Sequence, residues 1–522
     1  MSIRASSIRP LASLPLRPCV FTRSLPADSY TDSFTESDPP ENLLRVSRPV
    51  YQAAFAYISP EKAPDPKLVA VSHSALQEIE LDRDTIKDNE DEFVQVFSGN
   101  TVLNGTRPWA LCYGGHQFGT YADQLGDGRA ISLFETQNSR DNRWEIQLKG
   151  AGRTPFSRFG DGYAVLRSSI REFLVSEHMH VLGVPTTRAL SLIKTSREVF
   201  RDDAPPGVNQ PEKGAVVARM ASSWLRFGSF EIFHFRHDKE NVRKLADYAI
   251  KEVVKDEGDP KKGNQYARFF LNVAKRTARM VAEWQALGAG DKVDTLVFSA
   301  KDDDVAADKA KHEMYRTMGK AFVTEVLSES FSDCFMEHLA AKMRSKLGLV
   351  KDKQDEDMQG LVIPLLDWMT EYRVDYHKFF RSLGDYYISD AGEDGDGQQA
   401  LGGLLDIVPR DETVVDECKQ ALKPWLAMYR HRLVEDGPIN NTERKKRMNS
   451  VNPRFVLRNW IVQDVINAFD NMTEEEATDM LNICLGACVD PYKDKYDDEQ
   501  VETWIKSRVP EWAMDLKCSC SS

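Results

Sequence analysis

The segment Glu145–Glu172 reads "EIQLKGAGRTPFSRFGDGYAVLRSSIRE" and decides the fold, because a strand pattern, glycine-rich turns and a helix pattern follow one another in it. Apolar Ile146 and Leu148 alternate with polar residues, as in a half-buried strand that ends at Lys149. Four glycines and four arginines follow this strand. Glycine turns with basic side chains commonly receive phosphate, yet the chain has no Walker lysine motif. The segment therefore predicts a phosphate site of another kind.

The end of the segment opens a predicted helix, "VLRSSIREFLVSEHMHVLG" at 165–183. Gly183 and Pro185 are typical of the end of a helix. Glu172 lies in the middle of it. Four apolar residues share one face of this helix: Leu166, Ile170, Phe173 and Leu174.

Strand patterns cluster around this helix. The stretches "RAISLFET", "WEIQLK", "TRALSLIKT", "EVFRD" and "AVVARMA" predict a five-stranded sheet with one inserted helix. After Glu231 the patterns are mostly helical, as in "FFLNVAKRTARMVAEWQAL". The apolar stripe predicted for that helix consists of Phe270, Val273, Thr277, Val281 and Trp284.

A strand-rich part followed by a helical part is the outline of a protein-kinase-like, two-lobed fold of the α+β class. We expect an N-terminal nucleotide-binding lobe at 43–231 and a helical C-terminal lobe at 232–510. Polar residues 29–42 predict a linker, and residues 511–522 form a tail that contains cysteines.

The first 28 residues differ from the rest in composition. They contain Arg4, Arg9, Arg17 and Arg23, and no acidic residue precedes Asp28. Arginines and prolines interrupt each apolar run, so a secretory leader is excluded. The pattern favours a mitochondrial presequence over a disordered basic N-terminus. Eight cysteines in 522 residues do not make a disulfide framework, which fits a reducing matrix compartment.

The composition of the chain limits which classes of function are possible. A formal net charge of −13 argues against nucleic-acid binding as the main task. No apolar run approaches the roughly 20 residues of a membrane-spanning helix. Hydrophobic residues make up 41% of the chain, enough for a sizeable core. The oligomeric state does not follow from the sequence.

Several residues with chemistry suited to phosphate occur in a definite order along the chain. Taken singly, the "LGDGRA" stretch is an ordinary hairpin turn, Lys149 a solvated strand end and Glu172 an exposed helix residue. Their order indicates a nucleotide site in which Glu172 holds Lys149 extended, as a helix glutamate does in kinases. The residues in order are Gly126, Gly128, Arg129, Lys149, Glu172, Arg219 and Arg226.

Four longer motifs resemble the selenoprotein O family. They are "YGGHQFGTYADQLGDGRA", "LKGAGRTPFSRFGDGYAVLRSSIREFLVSEHMHVLGVPTTRAL", "RMASSWLRFGSFE" and "NPRFVLRNW". The resemblance covers the chain from about residue 43 to the C-terminus. It implies a kinase-like fold that binds ATP in a flipped orientation and transfers AMP to Ser, Thr or Tyr hydroxyls of proteins. It also implies a role in redox balance.

The resemblance also implies particular site residues. Lys149 would touch phosphate and pair with Glu172, and Arg219 and Arg226 would grip the outer phosphates. The nucleotide contacts implied by matching motifs are Gly126, Gly128, Arg129, Lys149, Asp161, Gly162, Arg219 and Arg226. In the tail, Cys518 and Cys520 would form a redox pair; two inert thiols are the alternative.

The sequence departs from the family where the catalytic residues are expected. The family has an Asn-Thr-Asp-Asn motif, with the catalytic aspartate and a metal-binding asparagine, and then an Asp-Phe-Gly-Pro motif with another magnesium ligand. This chain reads "MVAEWQALGAGDKVDTLVF" at that point and contains neither motif. Asp291 and Asp294 lack the family pattern. The C-terminal lobe is therefore expected to be incomplete, with no assigned catalytic residue and no ligands for the expected Mg²⁺.

Two explanations compete for this loss. Exon skipping, in a gene model or by splicing, would leave an active enzyme encoded by the parent gene; a true loss would leave a non-catalytic product. The leading function is protein adenylylation with ATP in mitochondria. The alternatives are a nucleotide-binding protein without transferase activity and a kinase that transfers phosphate.

Overall fold

The computed structural model describes most of the chain: residues 11, 14–17, 19–32, 44–117, 119–201, 211–255, 264–288, 330–387, 412–513 and 516. Within these residues the protein is of the α+β class, with a large antiparallel sheet and many helices. The predicted class is confirmed. Asp291, Asp294, Cys518 and Cys520 lie outside the described residues.

Nine of the described strands form one antiparallel sheet, in the order β2-β4-β7-β8-β11-β10-β3, with β1 paired to β7 and β9 to β11. Strands β5 and β6 form a separate hairpin. The strands are β1 Leu16–Arg17, β2 Phe55–Tyr57, β3 Lys67–Val71, β4 Trp109–Leu111, β5 Gly114–Gln117, β6 Thr120–Gln124, β7 Ala130–Gln137, β8 Arg143–Lys149, β9 Ala164–Val165, β10 Arg188–Val199 and β11 Glu212–Ala221.

The helices precede, interrupt and follow the sheet. They are α1 Val20–Ser24, α2 Ser29–Asp32, α3 His73–Glu78, α4 Arg83–Asp88, α5 Glu90–Phe97, α6 Leu166–Val181, α7 Phe227–Phe235, α8 Lys239–Tyr248, α9 Gln265–Ala286, α10 Ser332–Lys346, α11 Gln354–Asp357, α12 Ile363–Glu371, α13 Tyr376–Leu383, α14 Glu412–Asp436, α15 Asn441–Asn449, α16 Asn459–Asn471, α17 Glu474–Val489 and α18 Glu499–Lys506. Segments Ala249–Val254 and Met358–Val362 are π-helical, and Glu511–Ala513 is a 3₁₀ turn.

Strand β8 occupies the middle of the sheet and positions the predicted lysine. Lys149 pairs with Ala130 of β7 and Val217 of β11. Gln147, two residues earlier, lies opposite Arg219. Because side chains alternate along a strand, Gln147 and Lys149 point to the same face of the sheet.

The predicted helix after the glycine-rich turns is confirmed as α6, and its four predicted core residues are buried. The five-stranded sheet was an underestimate. All but the first residue of "TRALSLIKT" and the first two residues of "EVFRD" lie in one long strand, β10, whose register against β11 has two irregularities. The short strands β1, β2, β4 and β9 lack the length that gives a clear alternating pattern.

The stripe predicted for α9 is confirmed at Phe270 and wrong at its other four positions. The buried side chains are Phe270, Glu283 and four alanines at four-residue spacing, whereas Val273, Thr277, Val281 and Trp284 are only partly buried. Small side chains let a neighbouring helix approach closely, and α10 packs along α9. The sequence prediction followed the large apolar residues and so missed this contact. The alanines are Ala274, Ala278, Ala282 and Ala286.

Three buried clusters hold the fold together. The first lies between the sheet and the N-terminal helices, and the third lies among the helices from α9 to α15. The second joins α6 to the C-terminal helices α16–α18. The C-terminal helices therefore pack on the helix that carries Glu172 as well as on their neighbours in sequence.

The N-terminal segment packs against the sheet. Strand β1 pairs with β7, and Phe21 of α1 is 1% exposed, with its ring against Phe55 and Tyr248. Residues 29–32, predicted as the start of a linker, form helix α2. The range predicted as a presequence thus overlaps with packed residues from Leu11 onward.

No helix in the described part of the chain combines the length and apolar character needed to cross a bilayer.

Candidate nucleotide site

Lys149 and Glu172 form the first contact of the candidate site. Lys149 ends β8, Glu172 lies on α6, and the Lys149 ammonium donates a hydrogen bond to Glu172 Oε2. The two side chains are only 26% and 22% exposed. The pairing predicted from the sequence is confirmed, and it holds the lysine extended beside the glycine-rich loop.

Arg219 joins the same glutamate. Its Nη1 donates to Glu172 Oε1 at 3.0 Å, and its Nη2 donates to Gln147 Oε1 at 2.5 Å. The guanidinium also lies 4.7 Å from the centroid of the Trp224 ring. Glu172 thus places two cations side by side, one on each of its carboxylate oxygens.

Gln147 continues the network toward Arg226. Its Nε2 donates to Asp127 Oδ2 at 3.2 Å, and Arg226 Nη2 lies 3.7 Å from Asp127 Oδ1. Asp127 also accepts from the backbone N–H of Leu111 at 3.1 Å. We call the connected residues Lys149, Glu172, Arg219, Gln147, Asp127 and Arg226 the basic cluster.

Burial and opposite charges compete in setting the pKa values of the basic cluster. Burial alone would raise the pKa of Glu172, but the charges of Arg219 and Lys149 outweigh it and lower that pKa. Burial lowers the pKa of Lys149, and the charge of Glu172 opposes this shift. Burial raises the pKa of Asp127, against the pull of Arg226. Three cations face two acids, and Arg129 adds positive charge near Lys149 and Glu172. An anion is therefore favoured here.

The turn at 125–130 is built for close packing. Gly126 has φ +72°, and a Cβ there would overlap the Phe156 ring. A Cβ on Gly128 would lie 3.0 Å from the Phe156 carbonyl oxygen. The N–H groups of Gly126 and Gly128 donate to the carbonyls of Tyr113 and Gly126. The nucleotide contact predicted for both glycines remains a prediction; the observed contacts give them a packing role.

The loop after β8 folds back on itself. Gly162 has φ +81° and accepts a hydrogen bond from the Gly152 N–H at 3.0 Å. Asp161 accepts from Arg201 Nη1 at 2.7 Å and from the Tyr163 N–H at 2.9 Å. The contacts observed for Asp161 are thus with Arg201 and its own loop, while its predicted nucleotide contact stays a prediction.

Comparisons with known proteins identify the family. A family model described as "Protein adenylyltransferase SelO" matches residues 48–293 and 309–485. The chain belongs to the SelO family. The resemblance to selenoprotein O stated from the motifs is confirmed.

Bacterial relatives named "Protein nucleotidyltransferase YdiU" match nearly the whole length. The one from Methylobacillus flagellatus is 34% identical, over 96% of this chain and 98% of that protein. The one from Myxococcus xanthus is 35% identical over 90% of this chain and 96% of that protein. The one from Xanthomonas euvesicatoria is 36% identical, with 93% and 96% covered.

The SelO match is interrupted at residues 294–308, between its two stretches. The interruption begins directly after "ALGAGDKV", where the sequence lacks the two motifs expected from the family. The residues of the basic cluster all lie in the first matched stretch.

Magnesium does not fit the described part of this SelO site. The carboxylates of the basic cluster are Asp127 and Glu172, and Arg226, Arg219 and Lys149 bind them. A magnesium ion prefers oxygen ligands that are not already engaged by cations. No chemical step is therefore derived through the metal.

Two residues of the basic cluster were missed by the sequence analysis. Asp127 was quoted within "LGDGR" without a role, because an aspartate in a turn is common. Gln147 was quoted within "WEIQLK", as one of the polar residues that alternate with Ile146 and Leu148, but without a role. The signal that could have found Gln147 is its position, two residues before Lys149 on one face of a central strand.

Beyond Gln147 the same face of β8 reaches a buried acidic cluster. Cys19 Sγ and carboxylate oxygens of Glu135 and Glu145 lie within 4.8 Å of one another. Glu145 is four residues before Lys149, about 13 Å along the strand. The Val20 N–H donates to Glu135 at 3.1 Å, and Arg143 lies 3.7 Å from Glu135. These residues attach the N-terminal segment to the sheet and are separate from the basic cluster.

Glu145 makes this attachment sensitive to pH. Burial, and then the charge of Glu135, raise the pKa of Glu145 from 4.5 to about 8. The folded chain therefore holds a proton that the unfolded chain releases above pH 4.5, so the stability contributed by Glu145 is complete below that pH and is lost as the pH rises toward 8.

We expect Glu145→Gln to remove this pH dependence. The introduced side-chain amide cannot ionise. One of its two N–H groups is left without a hydrogen-bond acceptor in the buried site, which lowers the free energy of unfolding by about 2 kcal/mol. Urea unfolding should show the variant less stable than the wild type at pH 5 and more stable by about 2 kcal/mol at pH 8. Glu240, whose side chain is 76% exposed, provides the control Glu240→Gln. Parallel curves for Glu145→Gln and the wild type would show that Glu145 is ionised throughout.

Proposed function

We propose that the chain binds ATP with its outer phosphates on the basic cluster and transfers AMP to Ser, Thr or Tyr hydroxyls of protein substrates. The supporting observation is that Glu172 holds Lys149 and Arg219 side by side. Arg226 extends this positive surface on the other side of Gln147 and Asp127. Membership of the SelO family supplies the reaction class.

Binding of the β- and γ-phosphates by the cations of the basic cluster determines which bond of ATP breaks. When Lys149, Arg219 and Arg226 hold the β- and γ-phosphates, these phosphates become the leaving group. The substrate hydroxyl then gives up its proton to solvent water, its oxygen forms a bond to the α-phosphorus, the bond from that phosphorus to the bridging oxygen breaks, and pyrophosphate departs. Fixed cations stabilise the charge that develops on pyrophosphate. A kinase reaction instead needs its γ-phosphorus to face the substrate.

A second candidate function is ATP binding without transfer. The absence of the Asn-Thr-Asp-Asn and Asp-Phe-Gly-Pro motifs favours it, because the hydroxyl proton needs a base. Both acids of the basic cluster are engaged by cations. Sequencing of transcripts across the codons for Trp284 to Asp294 separates exon skipping, which predicts a longer product with both motifs, from true loss.

Labelled ATP tests the proposed function. The purified chain is incubated with magnesium, a protein extract and either α-labelled or γ-labelled ATP. We expect protein to become labelled by α-labelled ATP and not by γ-labelled ATP. Labelling of protein by γ-labelled ATP would instead show phosphate transfer. If neither label enters protein while ATP still binds, adenylylation by this chain is disproved and the binding function remains.

We also propose that the helical C-terminal part and the strand-rich part form two kinase-like lobes, and that the protein acts in the mitochondrial matrix. The burial of Phe21 and the β1–β7 pairing support a leader that ends before the packed residues, upstream of the boundary at 28. N-terminal sequencing of the protein from isolated mitochondria tests this. A mature N-terminus before residue 11, the first packed residue, is expected, and one at 28 would contradict the packing.

The tail cysteines are proposed to form a redox pair in this compartment. Cys518 and Cys520 are two residues apart at the end of the chain. Thiol alkylation with and without reductant, compared between wild type and Cys520→Ser, tests the pair. An equal extent of labelling of Cys518 in both proteins, with and without reductant, would show two inert thiols.

A further inference from the structure

A basic cavity lies among the C-terminal helices, away from the nucleotide site. Its volume is about 310 Å³, and its walls come from α13, the loop that leads into α16 and the end of α18. Small-molecule sites occupy roughly 300–1,000 Å³. Among the described residues, none that lines the cavity is acidic. Five of them are cationic: Lys378, Arg381, Arg454, Arg458 and Lys506.

The neighbouring acids only partly neutralise these cations. Arg458 lies 2.6 Å from Asp375, and Arg454 forms two hydrogen bonds to Glu502 at 2.5 and 2.8 Å. Arg381 pairs with Asp494. Three carboxylates therefore pair with three arginines. Five cations thus face three carboxylates, which leaves a net positive charge; of the two lysines, Lys378 donates to the Ser507 carbonyl at 3.1 Å and Lys506 lies 3.6 Å from Glu502.

A buried histidine supplies a second, independent observation. His377 lines the cavity and is 3% exposed, and neither of its ring nitrogens has a hydrogen-bond partner among the residues that the structure describes. Burial, followed by the charges of Lys346 and Arg458, holds the pKa of His377 well below its usual value, so the ring is neutral. A neutral imidazole has one N–H donor and one acceptor, and leaving both unmade in a protein interior is unfavourable.

Much of the rest of the wall is apolar. Phe455, Val456, Ile461 and Trp504 also line the cavity. Arg458 is itself only 7% exposed, so its charge is presented in a largely dehydrated setting. Charge-assisted hydrogen bonds are stronger there than on an open surface.

We propose that this cavity binds a small ligand that carries a phosphate group. The phosphate oxygens would accept hydrogen bonds from Lys378, Lys506 and the buried arginine, and His377 would gain the partner that it lacks. The apolar wall would contact the rest of the ligand.

The cavity is distinct from the basic cluster, but its wall is connected to α6, the helix that carries Glu172 of that cluster. Arg171, next to Glu172 on α6, donates to Asn459 Oδ1 and to Gln463 Oε1, each at 3.3 Å. Asn459 directly follows Arg458 of the cavity wall. The proposal nevertheless concerns binding at the cavity and does not rest on the adenylylation reaction.

Pyrophosphate titration by calorimetry tests the cavity in a Lys149→Met background, which weakens the nucleotide site. Adding Lys378→Met should reduce the affinity for pyrophosphate about tenfold, the loss of one charge-assisted contact. Lys506→Met, at a side chain that is 73% exposed, is the second variant and should fold even where the first does not. Lys244→Met is the matched control, because Lys244 is 51% exposed and lies on α8, far along the chain.

The expected pattern is weaker binding in both cavity variants and unchanged binding in the Lys244→Met control. Equal binding in all variants would overturn the proposal, since pyrophosphate would then bind elsewhere. Malonate serves as a carboxylate probe of the same charge sign. Malonate binding as tight as that of pyrophosphate would overturn the assignment to phosphate ligands.

Discussion

Lys149→Met is expected to lower the affinity for ATP about 100-fold, equivalent to roughly 2.7 kcal/mol. Lys149 is held extended by Glu172, so its ammonium reaches the phosphates without first losing side-chain freedom. In the variant, Glu172 keeps its hydrogen bond from Arg219 but loses Lys149. The negative charge of Glu172 is then balanced by Arg219, so less positive charge faces the nucleotide. Equilibrium dialysis with labelled ATP measures the effect.

Lys194→Met is the matched control for that substitution. Lys194 also lies on a strand of the sheet, is 16% exposed and pairs with Glu474 at 2.5 Å, but it is outside the basic cluster. We expect it to bind ATP as the wild type does. Thermal unfolding of both variants checks that they fold. If Lys149→Met retained wild-type affinity, ATP would not bind on the basic cluster.

Phe21→Ala is expected to lower the free energy of unfolding by about 3–5 kcal/mol. The Phe21 ring is 1% exposed, and its centroid lies 5.6 Å from that of Phe55 and 5.5 Å from that of Tyr248. Truncation would leave a cavity between the N-terminal segment and the sheet. Urea unfolding of the full chain measures the loss.

Phe159→Ala provides the comparison, because Phe159 is 87% exposed. We expect its effect on stability to stay within about 0.5 kcal/mol. A loss of less than about 1 kcal/mol for Phe21→Ala would mean that the N-terminal segment does not pack on the sheet in solution. The range predicted as a presequence could then extend to residue 28 without cost to the fold.

The local pattern was sufficient to predict the elements that carry the phosphate site. Alternation in "WEIQLK" and the four-residue spacing of Leu166, Ile170 and Leu174 are strong periodic signals, so β8 and α6 were predicted. The order of lysine strand and glutamate helix then allowed the Lys149–Glu172 pair to be expected from the kinase analogy.

Other features depend on contacts between distant segments, which no local pattern contains. The N-terminal segment resembles a leader in composition, yet Cys19 lies beside Glu135 and Glu145, more than 100 residues away in the chain. Gln147 becomes part of the basic cluster through its register with Arg219 on β11. A pairing register of this kind is set by the whole sheet.

The prediction for α9 assumed that the large apolar side chains are the buried ones, and this assumption was mostly wrong. The sequence shows a stripe that includes Val273, Val281 and Trp284, but the buried positions are mainly alanines. Small residues at a helix contact carry little hydrophobic signal, even though they permit the closest approach of the two helices.

The most direct measurement of the central claim is a structure of the chain with a non-hydrolysable ATP analogue. The account predicts that the β- and γ-phosphates lie within hydrogen-bond distance of Lys149, Arg219 and Arg226, with the α-phosphorus facing outward. An analogue with its adenine at Lys149, or with its phosphates outside the basic cluster, would contradict the account.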